Sequence, residues 1–97
     1  MLLAVDIGNS NISLGVFQGS ELMARGKLSA LTERSADEYA ATIHDLLRLG
    51  GVDRSDITGC VLSSVVPALT GLLVGALERL TAVRPLPVGP GIRTGFR

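Results

Sequence analysis

Aromatic side chains are scarce in this 97-residue chain: Phe17, Tyr39 and Phe96 are the only three, and tryptophan is absent. A core of stacked rings is thereby excluded, and Leu, Val, Ile and Ala must supply it. The apolar share of 46% is large enough to offset chain ordering, which excludes a disordered segment. Cysteine is reduced to Cys60, so no intrachain disulfide can form and a reducing compartment is expected. Neither charge sign is in excess: nine basic and nine acidic residues cancel. Without a basic patch the electrostatic footprint of a nucleic-acid binder is missing, and no nucleic-acid partner is expected. A long apolar run is lacking too. The longest uncharged stretch, Ile57 to Leu77, is interrupted by Pro67 and three glycines, which argues for strand, turn and helix and against a membrane partner. No charged-then-apolar leader precedes the first apolar run, so the expected location is the cytoplasm. The length allows one domain.

What is present reads as seven elements. Leu2 to Ile7 is apolar enough for a strand buried on both faces. Asn11 to Phe17 alternates, with Ile12, Leu14 and Val16 on one side. After the turn Gln18-Gly19-Ser20-Glu21, Leu22 to Leu28 alternates again with Arg25 and Lys27 on its polar side, as an outer strand does. Ser29 to Arg34 connects to a helix with an explicit start: Ser35 as N-cap and Glu38 three residues on form a capping box. Its apolar stripe is Ala36, Tyr39, Ala40, Ile43, Leu46 and Leu47, and Gly50-Gly51 ends it. Asp53 to Asp56 reads as a polar loop and Ile57 to Leu62 as a short strand, followed by Ser63-Ser64. Pro67 suits the first turn of a second helix striped by Leu69, Leu72, Leu73, Ala76, Leu77 and Leu80. Arg84 to Val88, with Pro85 and Pro87, can be a strand only at a sheet edge.

The order β-β-β-α-β-α-β predicts an α/β fold: a meander of three antiparallel strands, then two right-handed crossovers. The result is a five-stranded mixed sheet in the order 3-2-1-4-5 with the helices packed on it. That is the ribonuclease-H-like arrangement, shared by the half-domains of the sugar-kinase, Hsp70 and actin group. In it the ends of the first and fourth strands are neighbours, which would bring Asp6 and Ser63-Ser64 to one cleft.

The opening run Ala4-Val5-Asp6-Ile7-Gly8-Asn9-Ser10-Asn11-Ile12 carries the chemistry. One carboxylate stands at the end of a buried strand, beside a small polar turn. Such a turn offers backbone N–H groups to a phosphate, its glycine permits close approach, and a lone carboxylate can hold Mg²⁺ through water. The same letters also make an ordinary β-hairpin turn. Ser63 and Ser64 read either as cleft lining or as the capping region of the second helix. His44 lacks a partner at ligand spacing and reads as a surface or interfacial residue. Cys60 reads as a small buried apolar residue, and Glu33, Arg34, Asp37 and Glu38 as a solvated helix entrance.

Rival chemistries leave marks that are missing. A two-metal nuclease needs an acid where Leu62-Ser63-Ser64 stands. A P-loop needs Gly-x-x-x-x-Gly-Lys-Ser/Thr, and a dinucleotide fold needs Gly-x-Gly-x-x-Gly after the first strand; neither string occurs.

Four segments in order are similar to the type III pantothenate kinases: Asp6 to Asn11, Thr32 to Tyr39, Ser63-Ser64-Val65-Val66-Pro67, and Val88-Gly89-Pro90-Gly91-Ile92-Arg93-Thr94-Gly95. The family usually has Thr where Ser10 stands, and the hydroxyl is kept. The resemblance implies that Asp6, Ile7, Gly8, Asn9, Ser10, Asn11, Ile12 and Ser13 form the ATP phosphate hairpin. Backbone N–H groups of Gly8 to Asn11 would face the phosphates, and Asp6 would hold Mg²⁺ through water. It also implies pantothenate as substrate, a homodimer, and a monovalent cation (K⁺ or NH₄⁺). The catalytic base, in a Gly-Ala-Asp-Arg motif, the cation site and a second lobe would all lie beyond Arg97. The chain then corresponds to an amino-terminal lobe, expected to be inactive alone and prone to self-association. The competing reading is a non-catalytic binding or self-association module of the same fold.

Overall fold

The computed structural model describes residues 1–89, and the stretch from Pro90 to Gly95 singled out above lies outside them. Three strands open the chain: β1 (Leu2–Ile7), β2 (Asn11–Gln18) and β3 (Glu21–Ser29). Helix α1 (Ala36–Leu49), strand β4 (Gly59–Ser64), helix α2 (Pro67–Thr81) and the two-residue strand β5 (Leu86–Pro87) follow. They make one sheet in the order β3-β2-β1-β4-β5, the expected order. β1 runs antiparallel to β2 and parallel to β4, so the sheet changes character at its central strand.

Alternation along the strands decides what each face does. Leu3, Val5 and Ile7 of β1, Ile12, Leu14 and Val16 of β2, Leu28 of β3, and Cys60 and Leu62 of β4 share one buried cluster. Tyr39, Ile43 and Leu47 of α1 and Leu69, Leu73, Ala76, Leu77 and Leu80 of α2 belong to the same cluster. Both helices therefore cover the same face of the sheet. Ala4 and Phe17, with Val61 beside them, belong to the opposite face. Leu72, Leu46, Ala36 and Ala40 are partly buried at the margin of the main cluster.

Local chemistry accounts for the helix boundaries. At α1 the Ser35 side chain accepts from the Glu38 N–H at 3.1 Å, and Glu38 accepts from the Ser35 N–H at 2.8 Å. These bonds hold the Glu38 carboxyl below its ordinary range, through the Ser35 backbone first and its hydroxyl second. The Gly50 and Gly51 N–H groups close on Leu46 and Arg48 carbonyls. Pro67 opens α2, which ends at Ala82 in the left-handed region (φ 59°).

Three expectations change in detail. The polar loop 53–56 contains a 3₁₀ turn over Arg54–Asp56, because the Asp53 carboxylate accepts from both the N–H and the hydroxyl of Ser55. β4 begins at Gly59 and runs through Ser63 and Ser64, which read as residues following the strand. Parallel pairing with Asp6 and Ile7 of β1 holds both serines in the sheet. The last strand shrinks to Leu86–Pro87, both exposed, at the edge that the prolines demand.

Candidate functional site

Register and alternation place the site. Asp6 pairs with Ser13 on β2 and with Ser63 on β4. All three belong to the strand positions that alternate with the core residues, so they form a polar row on the face opposite the helices. Asp6 and Ser13 are half-buried. Ser63 is buried, at 3% exposure, and its hydroxyl donates to the Gly89 carbonyl at 3.3 Å.

Beside this row, residues 8–11 form a tight turn between antiparallel strands, so the hairpin reading of these letters is correct as geometry. The Gly8 N–H donates to the Asn11 carbonyl at 2.9 Å. A Cβ on Gly8 would lie 3.2 Å from that same carbonyl, so a side chain there would make the turn give by a few tenths of an ångström. The Gly8 N–H is thereby engaged within the turn. The N–H groups of Asn9 and Ser10, both exposed, make no hydrogen bond to the described residues. Two adjacent free donors beside a carboxylate are suited to a phosphate oxygen and its counter-cation. Ile7 and Ile12 flank the turn and are fully buried, backbone included; neither is open to a ligand as the resemblance implied, and their packing anchors both ends of the turn. The Ser10 carbonyl accepts from the Ala30 N–H at 3.0 Å, which ties the turn to the loop after β3.

The two serines of β4 part company. Ser63 stands beside Asp6. Ser64 accepts from the Val66 N–H at 3.0 Å and bonds the Thr70 hydroxyl at 3.0 Å, so it fastens the entry to α2. Neither is the cap itself: that position is Val66, which has no side-chain cap bond.

Other singled-out residues stay apart from this row. His44 is half-exposed on α1. Cys60 is buried, and desolvation pushes its thiol up to about 12, which keeps it unreactive at neutral pH. Of the helix-entrance charges, Asp37 pairs with Arg79 of α2 at 2.7 Å, an exposed bridge of small energetic weight. Arg34 lies over the Tyr39 ring at 5.7 Å. No group of three or more His, Cys, Asp or Glu that would hold a metal occurs among the described residues. Asp6 alone still fits Mg²⁺, which binds through one or two carboxylates, retained waters and phosphate oxygens.

Solved structures with the same architecture define the class. A putative N-acetylglucosamine kinase from Porphyromonas gingivalis superposes with a TM-score of 0.66 at 18% identity, over 93% of this chain and 34% of that one. A ROK hexokinase from Thermus thermophilus gives 0.66 at 20% identity, over 91% and 34%. A Thermus thermophilus RuvC structure gives 0.57 at 17% identity, over 92% and 63%. The fold is thus one shared by these sugar kinases and by RuvC, and at these identities the likeness concerns fold alone. Sequence narrows the class: residues 2–97 match the type III pantothenate kinase family model, and the chain belongs to that family. Type III pantothenate kinases of Geotalea daltonii (45% identical over 96 residues) and Geobacter sulfurreducens (46% over 100 residues) each match 99% of the chain. The chain spans 38% of the length of either relative. No described helix is long and apolar enough to cross a membrane.

Proposed function

We propose that this chain is the amino-terminal, phosphate-binding part of an ATP-dependent kinase that converts pantothenate to 4′-phosphopantothenate, the first step of coenzyme A synthesis. The observation that carries the reading is the Asp6–Ser13–Ser63 row beside a turn with free Asn9 and Ser10 N–H groups, in a chain of this family. Phosphoryl transfer depends mainly on positioning and charge neutralisation, which such a row and turn can supply. Mg²⁺ bound with the nucleotide contributes the positive charge. Asp6 would hold it through water and the Asn9 and Ser10 N–H groups would donate to phosphate oxygens, while the buried Ile7 and Ile12 keep the turn anchored. The catalytic base, the monovalent-cation site and the second lobe belong to the greater part of the family's length, which these residues do not span. The complete protein is proposed to work as a cytoplasmic homodimer.

A coupled assay of ADP release tests this. The complete protein is expected to release ADP in a manner dependent on both ATP and pantothenate, and the 97-residue chain to stay at blank. General-base loss alone typically lowers rates by about 10²–10⁴. A complete protein without pantothenate-dependent release, or a 97-residue chain well above blank, overturns the assignment.

A further inference from the structure

The fully buried Tyr39 makes two hydrogen bonds that its place in a hydrophobic stripe does not require. Its hydroxyl accepts from the Leu31 N–H at 2.8 Å and donates to the Leu31 carbonyl. One side chain thus satisfies both backbone groups of a residue in the loop between β3 and α1. The neighbouring residue, Ala30, donates its N–H to the Ser10 carbonyl. Ser10 is one of the two turn residues whose own N–H groups have no partner among the described residues. A short path therefore runs from the core of α1, through the Tyr39 hydroxyl, Leu31 and Ala30, to the peptide that follows Ser10. The Arg34 guanidinium also lies over this ring, at 5.7 Å from its centroid. Leu31 is itself 42% exposed, so its apolar side chain gives the loop little anchorage. The hydroxyl fixes the Leu31 backbone, next to Ala30, which packs against the core.

We propose that Tyr39 is a positioning residue for phosphate binding: its hydroxyl holds the 30–31 backbone, and through it the Ser10–Asn11 peptide, which adjoins the peptide carrying the Ser10 N–H and so limits how that donor can turn. This rests on the phosphate role of the turn proposed above. The Tyr39 side chain touches no ligand in this scheme; it acts only through the loop. A turn with free N–H groups binds a phosphate well only if those groups are already aimed, since loss of pre-organisation is paid in affinity.

The test is Tyr39→Phe in the complete protein, which keeps the ring in the core and removes the two bonds. The expected result is a rise of about tenfold in KM for ATP, the size of one or two lost hydrogen bonds, with KM for pantothenate unchanged. In hydrogen exchange, the peptide covering residues 8–11 and that covering 29–31 are both expected to exchange faster. Ala30→Pro is the second variant. It removes the donor to Ser10 while leaving Tyr39 intact, and Ser29 before it is already extended strand, as a residue preceding proline prefers. It is expected to reproduce the KM effect, and the double variant to be no worse than Ala30→Pro alone, because both act on one path. An unchanged KM for ATP in both variants, or equal losses against both substrates that follow only a lowered melting temperature, overturns the proposal. The two proposals fail differently. If Asp6→Asn leaves turnover intact, the phosphate role itself falls. If Asp6→Asn abolishes turnover while Tyr39→Phe changes nothing, only the positioning role falls.

Discussion

Asp6→Asn in the complete protein is expected to leave the fold intact and to lower kinase turnover by at least about a hundredfold, the scale of losing one pre-organised electrostatic group at a reacting phosphate. The two side chains have nearly the same size. The position is half-buried between Ser13 and Ser63, so packing survives the change. What is lost is the single negative charge of the polar row, and with it the proposed hold on Mg²⁺ near the phosphates. A residue that serves only the hairpin would tolerate Asn, since both residues favour such turns. Steady-state kinetics across a Mg²⁺ titration, with circular dichroism as folding control, separates the cases. A folded variant with unchanged turnover at every Mg²⁺ concentration returns Asp6 to a purely structural role.

The second large effect concerns stability. Leu73 of α2 is fully buried in the main cluster between helices and sheet. Leu73→Ala is expected to cost about 2–5 kcal/mol, through lost transfer energy and the cavity left behind. Helix propensity does not add to this loss, because Ala is the better helix former. Against a total stability of roughly 5–15 kcal/mol for a native domain, this is a large fraction. Leu49→Ala is the control. Leu49 is 85% exposed at the end of α1, and its truncation is expected to stay within about 0.5 kcal/mol. Urea midpoints at constant slope report both. A Leu73→Ala midpoint equal to that of Leu49→Ala would show that this core position can collapse without loss.

Much of this arrangement was legible in the residues because it depends on local rules. The capping box at Ser35 and Glu38, the proline at the start of α2 and the alternation of β2 each act within a few residues. Once the elements were in order, handedness of crossovers left one sheet order to expect, and it is the one found. The family resemblance rested on short segments in sequence order, and the family match spans residues 2–97. What escaped depends on partners distant in sequence. Ser63 and Ser64 read as residues following the strand, either cleft lining or the capping region of α2; pairing with β1 keeps them in the strand, and puts only Ser63 on the face of Asp6. Tyr39 announced itself as part of an apolar stripe, and nothing in the spacing showed that its hydroxyl would serve Leu31. The engagement of the Gly8 N–H likewise became visible only with the turn closed.

The two neighbours of Asp6 reach it by routes of very different length. Ser13 arrives through a tight turn, Ser63 only after the meander, α1 and the 3₁₀ turn have been traversed. Contacts that close short loops form early, with hairpins appearing in about 1–10 μs, whereas non-local parallel pairing waits for the chain to be brought together. Pulse-labelling during refolding is therefore expected to protect the Ser13 amide before that of Ser63, and simultaneous protection would contradict it. The row is assembled in two instalments, and its second half exists only once β4 has docked. A partly folded chain would already display the hairpin with its carboxylate, but not the surface beside it, so the phosphate recognition proposed for this place would report completion of the sheet.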